Sequence, residues 1–281
     1  MYFTTLKRGI WVKQSNYDDL KAATGREPSS IRMVEAGTHD ATLKPSQLAF
    51  RDYVVGQAQL GYKTYSCDPT DVILVTFPKS GSTWTSFNIF QINSKGQELY
   101  DNIKNLVIDI TPGHWDPAIN PFEIKQRYHP RTFKYHGMHD WAPKEGKFIY
   151  VARNPMDSLY SMYMFIHDLF GFSVNSEESA PIDWFYEEFF VKRFNSGHNI
   201  GNPWQHFLSW FPLAKKENML WIHYEDLITD PHFCLNEIRK FMQVEISEDT
   251  FKTIVERSSV GFVKNLPRDL FSTDPGMFCC C

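Results

Sequence analysis

Residues 76–84 read TFPKSGSTW and directly follow VILV, an apolar run at residues 72–75. A short continuous apolar run is typical of a strand that is buried on both faces of a parallel sheet. The small and hydroxyl-bearing residues after it predict a tight turn, and a helix-like segment then extends over residues 83–92. Strand, turn and helix in this order form the repeating unit of doubly wound α/β sheets.

The same pattern occurs twice more along the chain. FIYV at residues 148–151 precedes a helix-like segment at 155–169, and MLWIHY at residues 219–224 precedes another at 231–242. Repeated units of this kind favour helices on both sides of one parallel sheet. We therefore predict an α/β fold with a single domain, in which a central parallel sheet is flanked by helices and carries a P-loop-like turn.

Composition sets the class of protein. The chain has 281 residues, 42% of them hydrophobic, which is enough for one domain with a sizeable core. Residues 1–47 show little periodicity and are predicted to be an N-terminal extension, so that residues 48–281 form the domain. The formal net charge of −4 provides no excess of positive charge for a nucleic-acid partner. The sequence has no signal-peptide pattern and no membrane-spanning run, and we expect a cytoplasmic protein.

Cysteine usage gives no sign of a metal centre or a disulfide framework. Cys67 and Cys234 are isolated, without a CxxC partner, and are predicted to be buried thiols. The cysteines at residues 279–281 leave three interpretations open: a lipidated tail, a metal or redox handle, and an unstructured end. We expect no metal ion in the functional site.

The turn at residues 78–84 has the chemistry of an anion-binding site. Backbone N–H groups at a helix N-terminus lack intrahelical partners, and the helix dipole favours a bound phosphate there. Lys79 adds a full positive charge, and the hydroxyls of Ser80, Ser82 and Thr83 add donors. The alternative is a plain turn in which Ser82 or Thr83 caps the helix. A Walker A nucleotide-binding loop is disfavoured, because its Lys follows a second Gly that this turn lacks.

The turn closely resembles the 5′-phosphosulfate-binding loop of the cytosolic sulfotransferases, whose consensus is TYPKSGTTW. Only Phe77 and Ser82 differ from that consensus. The resemblance implies 3′-phosphoadenosine 5′-phosphosulfate (PAPS) as the sulfuryl donor. It also implies donor contacts for Lys79, Ser80, Gly81, Ser82, Thr83 and Trp84. Trp84 would be the aromatic platform for the adenine, with an ordinary packed Trp as the alternative.

YVARNPMDSLYS at residues 150–161 resembles the 3′-phosphate-binding motif of the same family. The resemblance implies that Arg153 and Ser161 contact the 3′-phosphate, while Met156 stands where the family has Lys. The alternative interpretation is a helix start at Asn154 with Arg153 in a surface ion pair.

Two further segments match the family's nucleotide contacts. WIHYEDL at residues 221–227 resembles the family strand that ends in Y-E-D, which implies that Tyr224 approaches the adenine. Ser258 falls where the family has a nucleotide-contacting Ser or Thr.

HPRTFKYH at residues 129–136 resembles the family segment that ends in the general base. This implies that His136 is the base, with Lys134 as a further catalytic residue. A neutral imidazole has a pKa near the operating pH, as removal of a hydroxyl proton requires. His139 is the competing candidate, because the stretch between the base and Arg153 is shorter here than in the family.

The implied reaction is in-line transfer of a sulfuryl group from PAPS to a small-molecule alcohol, phenol or amine, with Lys79 stabilising charge on the leaving group. The family's C-terminal R-K-G-x-x-G-x-W loop and its dimerisation motif are not found in the sequence, which leaves the oligomeric state open. Two other hypotheses therefore remain: a catalytically weak protein that binds PAPS or its product PAP, and a small-molecule kinase with a degenerate phosphate loop.

Overall fold

The computed structural model describes residues 10–13, 31–34, 43–48, 66–97, 107–111, 120–192 and 200–266. Its central feature is a five-stranded sheet in which every pair of neighbouring strands is parallel, in the order β4-β5-β3-β6-β7. The strands are β1 (Ile10–Lys13), β2 (Ile31–Val34), β3 (Val72–Thr76), β4 (Ile108–Asp109), β5 (Thr132–Tyr135), β6 (Lys147–Ala152) and β7 (Met219–His223). Strands β1 and β2 form a separate parallel pair.

Helices connect the strands. In the described part of the chain, residues 45–48 are helical, and the longer or later α-helices are α1 (Ser82–Asn93), α2 (Pro155–Phe170), α3 (Ile182–Phe185), α4 (Pro203–Trp210), α5 (Tyr224–Thr229), α6 (Pro231–Met242), α7 (Glu248–Arg257) and α8 (Val260–Lys264). A π-helix spans Tyr186–Lys192, and 3₁₀ turns span Pro121–Glu123, His139–Trp141 and Phe211–Leu213.

The sheet is buried on both faces, as its apolar strands predict. On β3, Val72 and Leu74 belong to a core that also contains residues of α1, α6 and α7. Ile73 and Val75 belong to a second core on the other face, which contains Trp210 of α4. The α/β fold with a central parallel sheet flanked by helices is therefore confirmed.

The predicted elements are found with small shifts at their ends. The three predicted strands are β3, β6 and β7, and the three predicted helices are α1, α2 and α6. Tyr224, predicted as the last residue of a strand, instead begins α5, whose first turn carries Glu225 and Asp226 where the helix dipole favours acidic side chains. Cys67 and Cys234 are buried thiols as predicted.

Most of the predicted N-terminal extension lies outside the described residues. Of residues 43–48, Ser46 bonds through its backbone N–H and its hydroxyl to the carbonyl of Glu178, and Lys44 Nζ donates to the carbonyl of Ser179. These bonds tie the segment to the loop that follows α2. The domain boundary at residue 47 stays a prediction.

Candidate functional site

The predicted site residues follow four neighbouring strands. The turn with Lys79 follows β3, His136 follows β5, Arg153 follows β6 and Tyr224 follows β7. Because the carboxyl ends of parallel strands lie at one edge of the sheet, the fold gathers these segments where α/β proteins bind their ligands.

The turn after β3 has a special backbone at two positions. Lys79 has φ 67° and Gly81 has φ 86°, both in the left-handed region. A Cβ atom on Gly81 would lie 2.5 Å from the ring of Tyr224, so that only Gly fits both the conformation and the space. Gly81 is also the N-cap of α1 and has no side chain to cap the helix. The first N–H groups of α1 thus have no capping hydroxyl, as an anion site requires.

Lys79 places a cation within this turn, and the described part of the chain provides no anion as its ion-pair partner. Its Nζ is buried and has no hydrogen-bond partner among the described residues. Nζ lies 4.3 Å from the ring centroid of Phe165 on α2, a cation–π contact. An unpaired buried charge is costly, so this arrangement favours binding of an anion next to Nζ.

Arg153 connects the turn to the ends of β6 and β7. Its Nη1 donates to the carbonyl of Lys79 at 2.7 Å, and its guanidinium carbon lies 4.3 Å from the ring centroid of Tyr224. Its Nε is buried and, within the described ranges, has no hydrogen-bond partner. The alternative of a surface ion pair finds no carboxylate for Arg153 in this part of the chain. Arg153 is therefore a second cation next to this turn, and its Nε–H can donate to a ligand.

The predicted 3′-phosphate ligand Ser161 is half-buried on α2, one turn beyond a serine that the sequence interpretation did not select. That serine is Ser158, whose hydroxyl lies 3.1 Å from the hydroxyl of Ser80. Asn154 caps α2 by accepting from the N–H of Met156, with Pro155 at the first position, as the alternative interpretation of this segment proposed. The capping and an anion contact by Arg153 are compatible, because they use different side chains.

The predicted adenine contacts lie in the packed part of the molecule. Trp84 is 3% exposed, and its indole N–H donates to the carbonyl of Ser258 at 2.8 Å. Its ring meets that of Tyr224 edge to face, with centroids 5.7 Å apart. Ser258 is fully buried and donates its hydroxyl to Ile254. Trp84 is thus in contact with both Tyr224 and Ser258, and the adenine contacts of the three residues stay a prediction.

A pocket of about 310 Å³ lies above the ends of β3, β6 and β7. Its lining includes Ser80 of the turn, Arg153 and Ser158, and its outer wall carries Trp204 and Phe207 of α4. The pocket combines a cation, hydroxyls and aromatic faces, which is the surface that a nucleotide requires.

His136 is 8% exposed and has a defined ring orientation. Its Nδ1 lies 2.8 Å from the carbonyl oxygen of Thr76, and 3.0 Å from the hydroxyl of the same residue. Because a carbonyl oxygen only accepts, Nδ1 carries the proton, and Nε2 is the proton-accepting nitrogen of the neutral ring. This tautomer is the one that a general base needs. The competing residue His139 instead packs against Trp210, with ring centroids 5.2 Å apart.

Lys134 has an ion-pair partner that the sequence interpretation missed. Its Nζ lies 2.7 Å from Oδ2 of Asp109 on the neighbouring strand β4. Asp109 also accepts the N–H of Thr111, and the Thr111 hydroxyl accepts the N–H of His136. The alternation of Asp109 and Thr111 in LVIDIT, residues 106–111, was the available signal.

A further histidine, His206, lies close to the candidate site. The ring of His206 on α4 is fully buried against Phe77, and its Nδ1 lies 2.9 Å from the hydroxyl of Tyr150. Burial, with a smaller contribution from His136, lowers the pKa of His206 to about 3. His206 is therefore neutral at physiological pH.

Comparison with known families decides the classification. The family described as the sulfotransferase domain matches residues 69–275. This chain belongs to the sulfotransferase family. The match includes every candidate site residue named above.

Curated sulfotransferases are similar to this chain over most of its length. It is 30% identical to a guinea pig 3-alpha-hydroxysteroid sulfotransferase over 73% of this chain and 70% of that protein. It is 28% identical to a rabbit amine sulfotransferase over 70% of this chain, and it spans 64% of that protein's length. A mouse sulfotransferase 1 family member D1 is 28% identical over 75% of this chain and 72% of its own.

Solved structures share the sulfotransferase fold. The mouse sulfotransferase SULT7A1, solved as a complex with PAP, has a TM-score of 0.55 and 22% identity over 76% of this chain and 75% of its own. Retinol dehydratase in complex with retinol and PAP has a TM-score of 0.58 and 20% identity over 75% of this chain and 71% of its own. Within the described residues, no helix has the length and apolar character to cross a membrane, and no cluster of side chains has a metal-binding composition.

Proposed function

We propose that this sulfotransferase transfers a sulfuryl group from PAPS to a hydroxyl or amine of a small molecule. The observation that carries the proposal is the buried Nζ of Lys79, which has no hydrogen-bond partner among the described residues and lies in a turn of the family's phosphosulfate-binding sequence. A group that carries sulfate and phosphate oxygens supplies the missing negative charge.

The residues around the turn fit such a donor. Lys79 Nζ and Arg153 Nε are buried donors without a hydrogen-bond partner among the described residues, and Arg153 is joined to the turn by the bond from its Nη1 to the carbonyl of Lys79. We propose that Lys79, with the first N–H groups of α1, holds the phosphosulfate and that Arg153 holds the 3′-phosphate. Trp84, Tyr224 and Ser258 are the proposed neighbours of the base.

The donor supplies an activated sulfuryl group, and the chain orients the acceptor and moves its proton. His136 accepts that proton at Nε2, because Nδ1 is engaged with the Thr76 carbonyl. The Lys79 ammonium stabilises the negative charge that develops as the bond to the leaving phosphate breaks. Lys134 lies two residues before His136, and its ammonium is a further proposed cation on the side of the acceptor.

The acceptor is proposed to be an alcohol, phenol or amine. Relatives named for an amine and for 3-alpha-hydroxysteroids support both nucleophile types. Phe165, whose ring centroid lies 4.3 Å from Lys79 Nζ, is the proposed apolar contact of the acceptor.

The proposal is tested by nucleotide binding and by transfer of labelled sulfate. Calorimetry should detect PAP binding that is stronger than binding of AMP, which lacks the 3′-phosphate, and Arg153→Ala should reduce that preference by about 2 kcal/mol. Labelled PAPS is then offered with panels of amines, phenols and hydroxysteroids. Lys79→Met should lower the transfer rate by about a hundredfold or more without lowering the melting temperature.

The alternative functions predict different results. PAP binding without transfer to any acceptor would favour a binding protein, and strong competition by ATP would favour a kinase. Transfer by Lys79→Met at the wild-type rate would contradict the proposed site.

A further inference from the structure

Two neighbouring strands present matched polar pairs to the candidate site. Lys134 and His136 are two residues apart at the end of β5, and Asp109 and Thr111 are two residues apart at the end of β4. In the parallel register, Asp109 lies directly opposite Lys134, and the N–H of Ile110 donates to the carbonyl of Lys134 at 2.8 Å. The backbone thus fixes one pair against the other.

The carboxylate of Asp109 uses both oxygens. Oδ2 accepts from Lys134 Nζ at 2.7 Å, and Oδ1 accepts the N–H of Thr111 at 3.0 Å. The hydroxyl of Thr111 then accepts the N–H of His136 at 3.1 Å. Asp109 and Thr111 are only 1% and 2% exposed, so that water does not compete for these bonds.

We propose that Asp109 and Thr111 are positioning residues for the reaction, which rests on the function proposed above. Asp109 holds the flexible lysine side chain at one place, and Thr111 fixes the backbone from which the His136 ring projects. The buried carboxylate of Asp109 therefore sets the distance between the Lys134 ammonium and the His136 ring. Preorganised groups of this kind stabilise developing charge without rearrangement during the reaction.

A second buried ion pair in the same sheet provides the matched control. Asp71, which is 1% exposed, pairs with Arg131 at 2.6 Å just before β3 and β5 begin. It has the same chemistry and burial as Asp109, but it lies at the opposite end of the strands. Asp71→Asn removes a buried carboxylate without touching the candidate site.

The decisive variant is Asp109→Asn. An amide oxygen can still accept from Thr111, so the substitution removes mainly the charge that holds Lys134. We expect kcat to fall roughly tenfold to a hundredfold, the usual cost of losing a partner that orients a reacting group. The Kd for PAP should stay within about twofold of wild type, and Asp71→Asn should not lower kcat.

A double-mutant cycle separates positioning from general damage. If Asp109 acts through Lys134, Asp109→Asn should change the rate of the Lys134→Met enzyme by less than about twofold. Thr111→Val should lower kcat in its own right, and Thr111→Ser, which keeps the accepting hydroxyl, should restore most of that loss. The threonine pair also tests the inference if Asp109→Asn does not fold.

Several outcomes would overturn the inference. They are a wild-type kcat for Asp109→Asn, a full additional loss in the Lys134→Met background, and equal losses for Thr111→Val and Thr111→Ser. A wild-type protein that transfers sulfate to no acceptor would instead overturn the proposed function, and the inference with it.

Discussion

Cations at the amino end of β3 and in the turn at its carboxyl end differ in their hydrogen-bond partners. At the amino end, Arg131 donates from Nε and Nη2 to the two oxygens of Asp71 at 2.8 and 2.6 Å, and from Nη1 to the carbonyl of Phe122 at 2.5 Å. The hydrogen bonds to Asp71 raise the pKa of Arg131. In the turn at the carboxyl end, Lys79 Nζ and Arg153 Nε have no hydrogen-bond partner among the described residues, whereas the nearby Lys134 is paired with Asp109.

This difference separates stability from function within one sheet. Arg131, which is hydrogen-bonded to Asp71 and to the carbonyl of Phe122, contributes to folding and lies away from the candidate site. Lys79, whose buried Nζ has no hydrogen-bond partner among the described residues, costs folding free energy that only a bound anion recovers. Substitutions at the candidate site should therefore lower mainly kcat, whereas substitutions at the amino end should lower only the free energy of unfolding.

The largest effect is expected at the carboxyl end, at the proposed base. His136→Ala should lower kcat by roughly a hundredfold to ten-thousandfold, because the acceptor would have to lose its proton without help. The Kd for PAP should change little, and the free energy of unfolding should fall by only about 1 kcal/mol, the usual value of one hydrogen bond. Steady-state kinetics with the best acceptor measure the first effect, and scanning calorimetry with and without PAP measures the others.

His139→Ala is the control for this variant, because His139 packs against Trp210 and should affect the rate only mildly. A larger loss for His139→Ala than for His136→Ala would reassign the base. A large loss of stability in His136→Ala would contradict the assignment of rate effects to the carboxyl end and stability effects to the amino end.

At the amino end the expected effect is on stability alone. Asp71→Asn leaves Arg131 without its carboxylate, and unfolding in urea should show a loss of about 2 kcal/mol. This is less than for a fully buried pair, because the side chain of Arg131 is 23% exposed and can be hydrated. The kcat should equal that of wild type, and a tenfold loss of kcat would contradict the division of roles.

A pH-dependent effect on stability, confined to acidic solution, is expected from His206. Its pKa is about 3 in the folded state and 6.5 as the reference value, so the unfolded chain binds the proton more readily below pH 6.5. Its contribution is therefore complete above about pH 6.5 and decreases as the pH falls toward 3. Between pH 7 and pH 5 this histidine alone should cost about 2 kcal/mol of folding free energy.

Urea unfolding at the two pH values tests this effect against His206→Asn, which can still bond to Tyr150 but does not titrate. The variant should lose less stability between pH 7 and pH 5 than wild type does. An equal loss in both proteins would show that His206 is not the source of the pH dependence.

The sequence predicts the strands, the main helices and the sulfotransferase family, because these depend on apolar runs and on local motifs. It does not reveal Asp109 and Thr111, since β4 has only two residues and its partners lie some way along the chain. Ser158 was missed for a different reason: one helical turn decides which serine reaches Ser80, and spacing alone does not fix that contact.

The hydrogen bond from His136 to the carbonyl of Thr76 joins two tasks in one strand. Thr76 is the last residue of β3, and the turn with Lys79 follows directly after it. A displacement of the end of β3 would move Lys79, which is proposed to bind the sulfuryl donor. It would also tilt the ring of His136, which is proposed to deprotonate the acceptor. Donor affinity and acceptor activation therefore share one mechanical support, and redesign of either half must leave the end of β3 in place.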